Sequence, residues 1–256
     1  MKPLVVACAL ALLLTGCSSK PAAEPPTHSA PSKAIPSMVS GTVPVPTNTL
    51  PTNEPTDAAV PPQLPERATA PPPANAGPLT ASNLPAPEKL GAGWKTYTDP
   101  GGAEAGFIGN NTWTRRRDPH QASYEALPSG CSGQPVKGSL AVPAYALTGS
   151  YRTPDHLPAT ALLLRFKDAT GAESYYAGYQ ARMHACGSGG DLSVKQLWDT
   201  TTAATAVRSY AGAESYVDLS VVRGSTVALL ATTSTHPDQQ SDWAHTVVPA
   251  LESVID

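Results

Sequence analysis

The sequence predicts an α+β domain, an antiparallel β-sheet flanked by helices on one face, carried behind a targeting segment and a long proline-rich spacer. Three features of the 256 residues support this reading. From residue 142 onward, apolar and polar side chains alternate in short runs separated by turn residues, the period of strands. One run, residues 168 to 187, switches to a period of three to four, as an amphipathic helix does. Proline, at 28 residues the strongest departure from average composition, is concentrated before residue 88.

At the amino terminus Met1-Lys2 gives a short basic start, and residues 4 to 14, LVVACALALLL, form an apolar run. The run is too short to span a bilayer, which takes about 20 residues. Leu14-Thr15-Gly16-Cys17 follows directly and resembles the lipobox of bacterial lipoproteins. That resemblance implies a signal peptide over 1–16, cleavage before Cys17, and acylation of its thiol. An ordinary secretory signal with a chance cysteine is the weaker alternative. Each buried methylene contributes about 0.8 kcal/mol and one acyl chain alone holds weakly, so a multiply acylated Cys17 would keep the chain on the extracytoplasmic side of the cell membrane.

Residues 17–87 carry no helical or strand period. Ile35, Val43, Val45 and Val60 stand isolated between prolines, where they cannot build a core. Proline at this density removes backbone donors and favours polyproline II, so the segment is expected to be a disordered, fairly stiff spacer. At about 3.1 Å per residue it would reach at most roughly 200 Å. An inert tether is the simpler reading, and a proline-motif docking segment the other.

A net charge of -3, with 14% charged residues and no long basic run, argues against a nucleic-acid partner. Of the four cysteines, Cys8 leaves with the signal peptide and Cys17 takes lipid, which leaves Cys131 and Cys186. In an oxidising compartment these are expected to pair, closing a loop of about 55 residues worth roughly 4 kcal/mol by loop-closure entropy. A zinc site is weaker, because only His184 stands near either cysteine, and a catalytic thiol is the third possibility.

Residues 88–256 are expected to fold as one domain. Glu88 to Gly130 reads as mostly irregular, with a short helix at HQASYEAL. AYALTGSYR and ATALLLRFK read as two antiparallel strands joined by TPDHLP. In DATGAESYYAGYQARMHACG, residues Ala172, Tyr175, Tyr176, Tyr179, Met183 and Cys186 form one helical stripe, with Gly187 as the cap. The stripe reads as core before it reads as a ligand site. LSVKQLW, TAVRSYA, SYVDLSVVRG and TVALLATTS restore the strand period, the last two turning at Arg223-Gly224-Ser225 as a half-solvated hairpin. Thr235 and Pro237 open a final helix with Trp243, Val247, Leu251 and Val254 on one side, and Pro249 predicts a kink or two short helices.

Taken together, ALPSGC, ALTGSYR, ALLLRFKDATGAESYYAGYQARMHACG, VKQLW and VVRGSTVALL resemble the actinobacterial extracellular sensor-domain lipoproteins, a group similar to the sensor domain of PknH-type kinases. The resemblance covers residues 88 to 256. It implies an antiparallel sheet flanked by helices, a groove that receives a ligand, and no catalytic residues. The kinase-attached domains carry two disulfides, whereas here only Cys131 with Cys186 is available.

No Gly-x-Ser-x-Gly, Ser-x-x-Lys or His-Glu-x-x-His motif is present, and His120, His156, His184, His236 and His245 are scattered. GGAEAGFIGNNTW reads as a mobile loop, and Arg115 to Arg117 as a solvated basic patch before an anion-binding one. No cofactor and no metal are expected. The sequence points to a non-catalytic domain that captures a small molecule, a lipid or a cell-wall component. Tyr145, Tyr151, Arg152 and Arg165 are the candidate lining of its groove. A scaffolding envelope lipoprotein is the alternative, and an envelope hydrolase ranks third.

Cys17→Ser, expressed in a host that processes bacterial lipoproteins, should accumulate unprocessed or soluble protein. Membrane fractionation with a lipid label checks this, and an unchanged lipid-labelled product would rule out acylation at Cys17.

Overall fold

The computed structural model describes residues 70–100, 102–104, 107–131, 136, 138–187 and 190–255. Cys17 and the spacer up to residue 69 lie outside the described residues. Among the described residues no helix is long and apolar enough to cross a membrane.

The chain begins with α1 (Pro87–Leu90), β1 (Lys95–Thr96), the hairpin β2 (Gly102–Glu104) and β3 (Phe107–Gly109), β4 (Thr114–Arg117) and α2 (Pro119–Glu125). There follow β5 (Tyr145–Arg152), β6 (Pro158–Arg165), α3 (Ala169–Ala185), β7 (Leu192–Asp199), β8 (Ala203–Tyr210), β9 (Ser215–Arg223), β10 (Thr226–Thr233) and α4 (Ser241–Glu252). Eight strands form one antiparallel sheet in the order β1-β5-β6-β10-β9-β8-β7, with β4 also on the outer edge of β5. The α+β class and the strands from 145 onward are as expected. The region 88–130 is more regular than expected, since β1 and β4 extend the sheet and the glycine-rich stretch is the β2–β3 hairpin.

The topology fixes the path of α3. After β6 the chain must reach β7, four strands away, a distance of about 19 Å at 4.8 Å per strand. A 17-residue helix spans about 25 Å and makes the crossing in one diagonal. Asp168 caps it by accepting from the Gly171 amide at 2.9 Å, and Gly187, with φ 60°, ends it. The chain then meanders back through β8 and β9 to β10, which pairs with β6.

Helices cover both faces of the sheet, which corrects the one-face expectation. Leu163, Leu219, Leu230 and Ala228 pack with Ala244, Val247 and Leu251 of α4 on one face. Leu164, Val222, Val227 and Leu229 pack with Tyr175, Tyr176, Tyr179 and Met183 of α3 on the other. Neighbouring residues of one strand thus belong to opposite cores, as the two-residue period requires. The β9–β10 hairpin is accordingly not half-solvated: Asp218 is 5% and Ser220 3% exposed beneath α3. A bulge between Gln196 and Trp198 changes the facing of β7, so Val194 meets the α3 core and Trp198 the α4 core, where it stacks on His245.

Asp218 is held by a bidentate pair with Arg208, whose second nitrogen donates at 2.6 Å. Burial opposes the Arg208 charge, and the Asp218 carboxylate more than offsets it, so the guanidinium pKa rises. Two buried phenols also find partners: Tyr175 donates to the Ser123 carbonyl at 2.8 Å and Tyr151 to the Pro85 carbonyl at 2.9 Å. Cys131 and Cys186 form the expected disulfide, with Cα atoms 4.8 Å apart, tying the segment after α2 to the end of α3.

The spacer does not run to residue 87. Residues 70–90 lie as a strap on the α4 face, with Ala76, Leu79 and Leu84 buried at 1%, 2% and 3% exposure. Prolines lack donors but keep their carbonyls, and the domain uses them. Asn110 donates to Pro72 at 3.1 Å, the Arg116 amide to Pro73 at 2.7 Å, and Thr114 to Ala74 at 2.8 Å. Gly149 makes room for this layer, since a Cβ there would stand 2.7 Å from Leu84 Cδ1 and 2.9 Å from Trp113.

Pro249 lies inside α4 without ending it. The carbonyl that loses its partner belongs to His245, on the exposed side, and the break falls earlier, between the turn Pro237–Gln239 and Ser241.

Deleting residues 18–69 should leave the thermal midpoint of the domain unchanged, whereas deleting 18–86 should lower it by at least about 5 °C, because buried leucines contribute about 1.5–3 kcal/mol each. Calorimetry of the two truncations distinguishes the strap from the spacer. Asp218→Asn leaves the buried Arg208 charge uncompensated and should cost about 3–5 kcal/mol in urea unfolding, while Arg208→Met with Asp218→Leu should recover most of it.

Candidate functional site

The four residues expected to line a groove do not come together around one. Tyr145 and Tyr151 sit at opposite ends of β5, about 20 Å apart at 3.3 Å per residue. Tyr151 is core: it is 1% exposed, packs edge-on against Trp94 and Trp113, and burial raises its pKa. The Tyr145 ring lies over Gly77, where a Cβ would come within 2.2 Å of it. Arg152 stacks its guanidinium on Tyr97, 4.3 Å from the ring centroid, and Arg165 donates to Thr226 Oγ1 at 3.1 Å. These are contacts that hold edges and turns together. The basic run is likewise engaged in structure. Arg115 pairs with Asp99 at 2.8 Å and Arg117 with Glu125 as part of β4.

The groove lies elsewhere, where the diagonal of α3 leaves a corner of the sheet uncovered. A cavity of about 750 Å³ opens between α3, the β7–β8 turn and the β9–β10 turn. Glu173, Tyr176, Ala177 and Gln180 form one wall, Thr200 to Thr202 the other, and Val222 to Gly224, with the charged Arg223, the end. Thr200 is occupied in shaping its own turn, its Oγ1 accepting from the Thr202 and Ala203 amides. Beyond these threonines Asp199 pairs with His184 at 3.0 Å, across from β7 to α3.

The base of the groove is a small neutral network. Gln180 donates Nε2 to Ser220 Oγ at 2.8 Å, and the Tyr176 hydroxyl lies 3.4 Å from the same oxygen. Gln180 Oε1 is buried and has no partner among the described residues. Burial pushes the Tyr176 pKa up to about 12, so the phenol stays neutral at physiological pH. Ser220 therefore lies against an amide and a neutral phenol, neither of which takes its proton near pH 7. Among the described residues no group of three or more His, Cys, Asp or Glu could hold a metal ion.

Sequence reasoning missed this site because Gln180 reads as solvent-facing and Ser220 as the polar side of a hairpin. The signal available was the spacing of Tyr176 and Gln180, one turn apart at the flank of an otherwise apolar stripe.

No family model matches the chain, and no curated protein matches it. Among solved structures the chain is similar to the extracellular domain of PknH from Mycobacterium tuberculosis, at 10% identity and a TM-score of 0.38, over 68% of this chain and 94% of that one. The likeness is distant, and no residue role passes from one chain to the other.

Proposed function

We propose that the chain is a lipid-anchored extracytoplasmic protein whose domain binds, without transforming, a small and largely apolar molecule in the groove beside α3. The groove carries the reading. Its volume of about 750 Å³ falls in the range of small-molecule sites, roughly 300–1,000 Å³. Ala177, Val222 and the Tyr176 ring supply apolar wall, and the unpartnered Gln180 Oε1 supplies one acceptor that a ligand donor would satisfy. The neutral Gln180-Ser220-Tyr176 base suits binding rather than proton transfer. The lipobox at Leu14 to Cys17 supports the anchor, and the Cys131–Cys186 disulfide fits an oxidising compartment.

A scaffolding role would draw on a flat apolar surface. The large apolar side chains exposed among the described residues are Tyr97, Val142 and Tyr145. Tyr97 stands by Arg152 at one end of β5 and the other two at its opposite end, so they form no continuous patch.

Ala177 is exposed on α3, so Ala177→Trp should fill the groove while leaving the thermal midpoint within about 2 °C of the parent. Native mass spectrometry of the full chain should show a co-purified small molecule that this variant loses. A parent chain free of bound molecules, or a variant that retains them, would refute binding in this groove.

A further inference from the structure

A second cavity, of about 190 Å³, lies at the other end of β10 from the α3 groove. Trp94 and Trp243, stacked at 5.7 Å with planes 7° apart, both line it. They belong to the α4 face, since both pack on the core that holds Val247 and Leu251. The remaining walls are Thr153 to Asp155 and Leu157 of the β5–β6 turn, Thr232 to His236 at and after the end of β10, and Gln240.

The lining has a defined chemistry. Among the described residues no lysine or arginine takes part, and its one carboxylate, Asp155, is exposed and without an ion-pair partner. An anionic ligand would therefore meet the Asp155 carboxylate and no lysine or arginine, His236 being the one basic side chain in the lining. Several neutral or weakly polar groups are available. The Trp94 Nε1–H makes no hydrogen bond to the described residues, whereas Trp243 Nε1 is used on the Leu90 carbonyl at 2.7 Å. The Thr235 hydroxyl is exposed, and Gln240 spends only its Nε2, on the His236 carbonyl at 3.5 Å. Thr233, which lines the same cavity, carries a buried hydroxyl with no partner.

We propose that this cleft binds a single neutral sugar ring, with the Trp94–Trp243 pair as its apolar wall and Asp155, Gln240 and Trp94 Nε1–H as its hydrogen-bonding rim. A pyranose has what the cleft asks for. Its carbon-bound hydrogens make an apolar patch that packs on an aromatic wall, and its hydroxyls both donate and accept around the edge. Asp155 and Gln240 Oε1 accept, and Trp94 donates. The volume suits one ring, and a nucleotide or an acyl chain would extend beyond the cleft. An ammonium would be drawn to Asp155 and the indoles and could donate to the hydroxyls, yet it has no acceptor for the Trp94 Nε1–H, which a sugar hydroxyl satisfies. The site lies on the opposite face of the sheet from the α3 groove, so the two ligands do not compete for space.

The test uses the full chain and its indole fluorescence. Glucose, N-acetylglucosamine and a soluble glucan are the sugar probes, and tetramethylammonium and inorganic phosphate the controls. At least one sugar should give a saturable change. Asp155→Ala and Gln240→Ala, each at a side chain outside the core, should weaken its affinity about tenfold at an unchanged thermal midpoint, the effect of one lost hydrogen bond to a small ligand. A response to the glucan alone would show that the ring is read as part of a polymer, and a response to monosaccharides that it is read free. Saturation by tetramethylammonium without any sugar, no saturable change with any sugar, or sugar binding that survives both variants would overturn the proposal. So would sugar binding abolished by Ala177→Trp instead, which would move the sugar to the α3 groove.

Discussion

A sheet whose central strands are apolar on both faces cannot leave either face to water, and that requirement places every other element of this domain. β6, β9 and β10 each present apolar side chains to both cores. A single helix layer would leave one face exposed, with leucines contributing about 1.5–3 kcal/mol each only when buried. α3 takes one face, and α4 takes the other together with the strap of residues 70–90. The strap belongs to the fold for the same reason as the helices.

The covering layers also decide where cavities can form. One helix is about 10 Å wide and shields roughly two strands, so a diagonal helix over a seven-position sheet must leave corners. Near α2 the corner is filled by Ala122, Leu140 and the segment held through the Cys131–Cys186 disulfide. At the β7–β8 and β9–β10 turns no such segment arrives, and the α3 groove is what remains. On the α4 face the strap ends in the Trp94–Trp243 stack, and the cleft lies where that stack meets the end of β10.

Polar groups under α3 hold this arrangement in register. Arg208 and Asp218 neutralise each other beside Tyr179, and Gln180 and Tyr176 meet at Ser220. Arg208 of β8 and Asp218 and Ser220 of β9 are even-numbered and face α3, so a one-residue slip of β8 would turn Arg208, and one of β9 Asp218 and Ser220, to the α4 core. The cost of stranding a buried charge there makes the register specific.

The strands from residue 145 onward, the α3 stripe, its glycine cap and the cysteine pairing were all legible in the sequence, because each depends on a local period or on a count. The strap was not. Its prolines are indistinguishable from those of the spacer until the carbonyls of Pro72, Pro73 and Pro85 meet donors from Asn110, the Arg116 amide and Tyr151. Nor was the groove, since Tyr145 and Tyr151 share a strand face but not a neighbourhood. Period tells which residues lie on one side of an element. Only the packed structure decides which sides meet, because the diagonal of α3, the bulge before Trp198 and the reach of the strap arise from contacts between segments far apart in the chain.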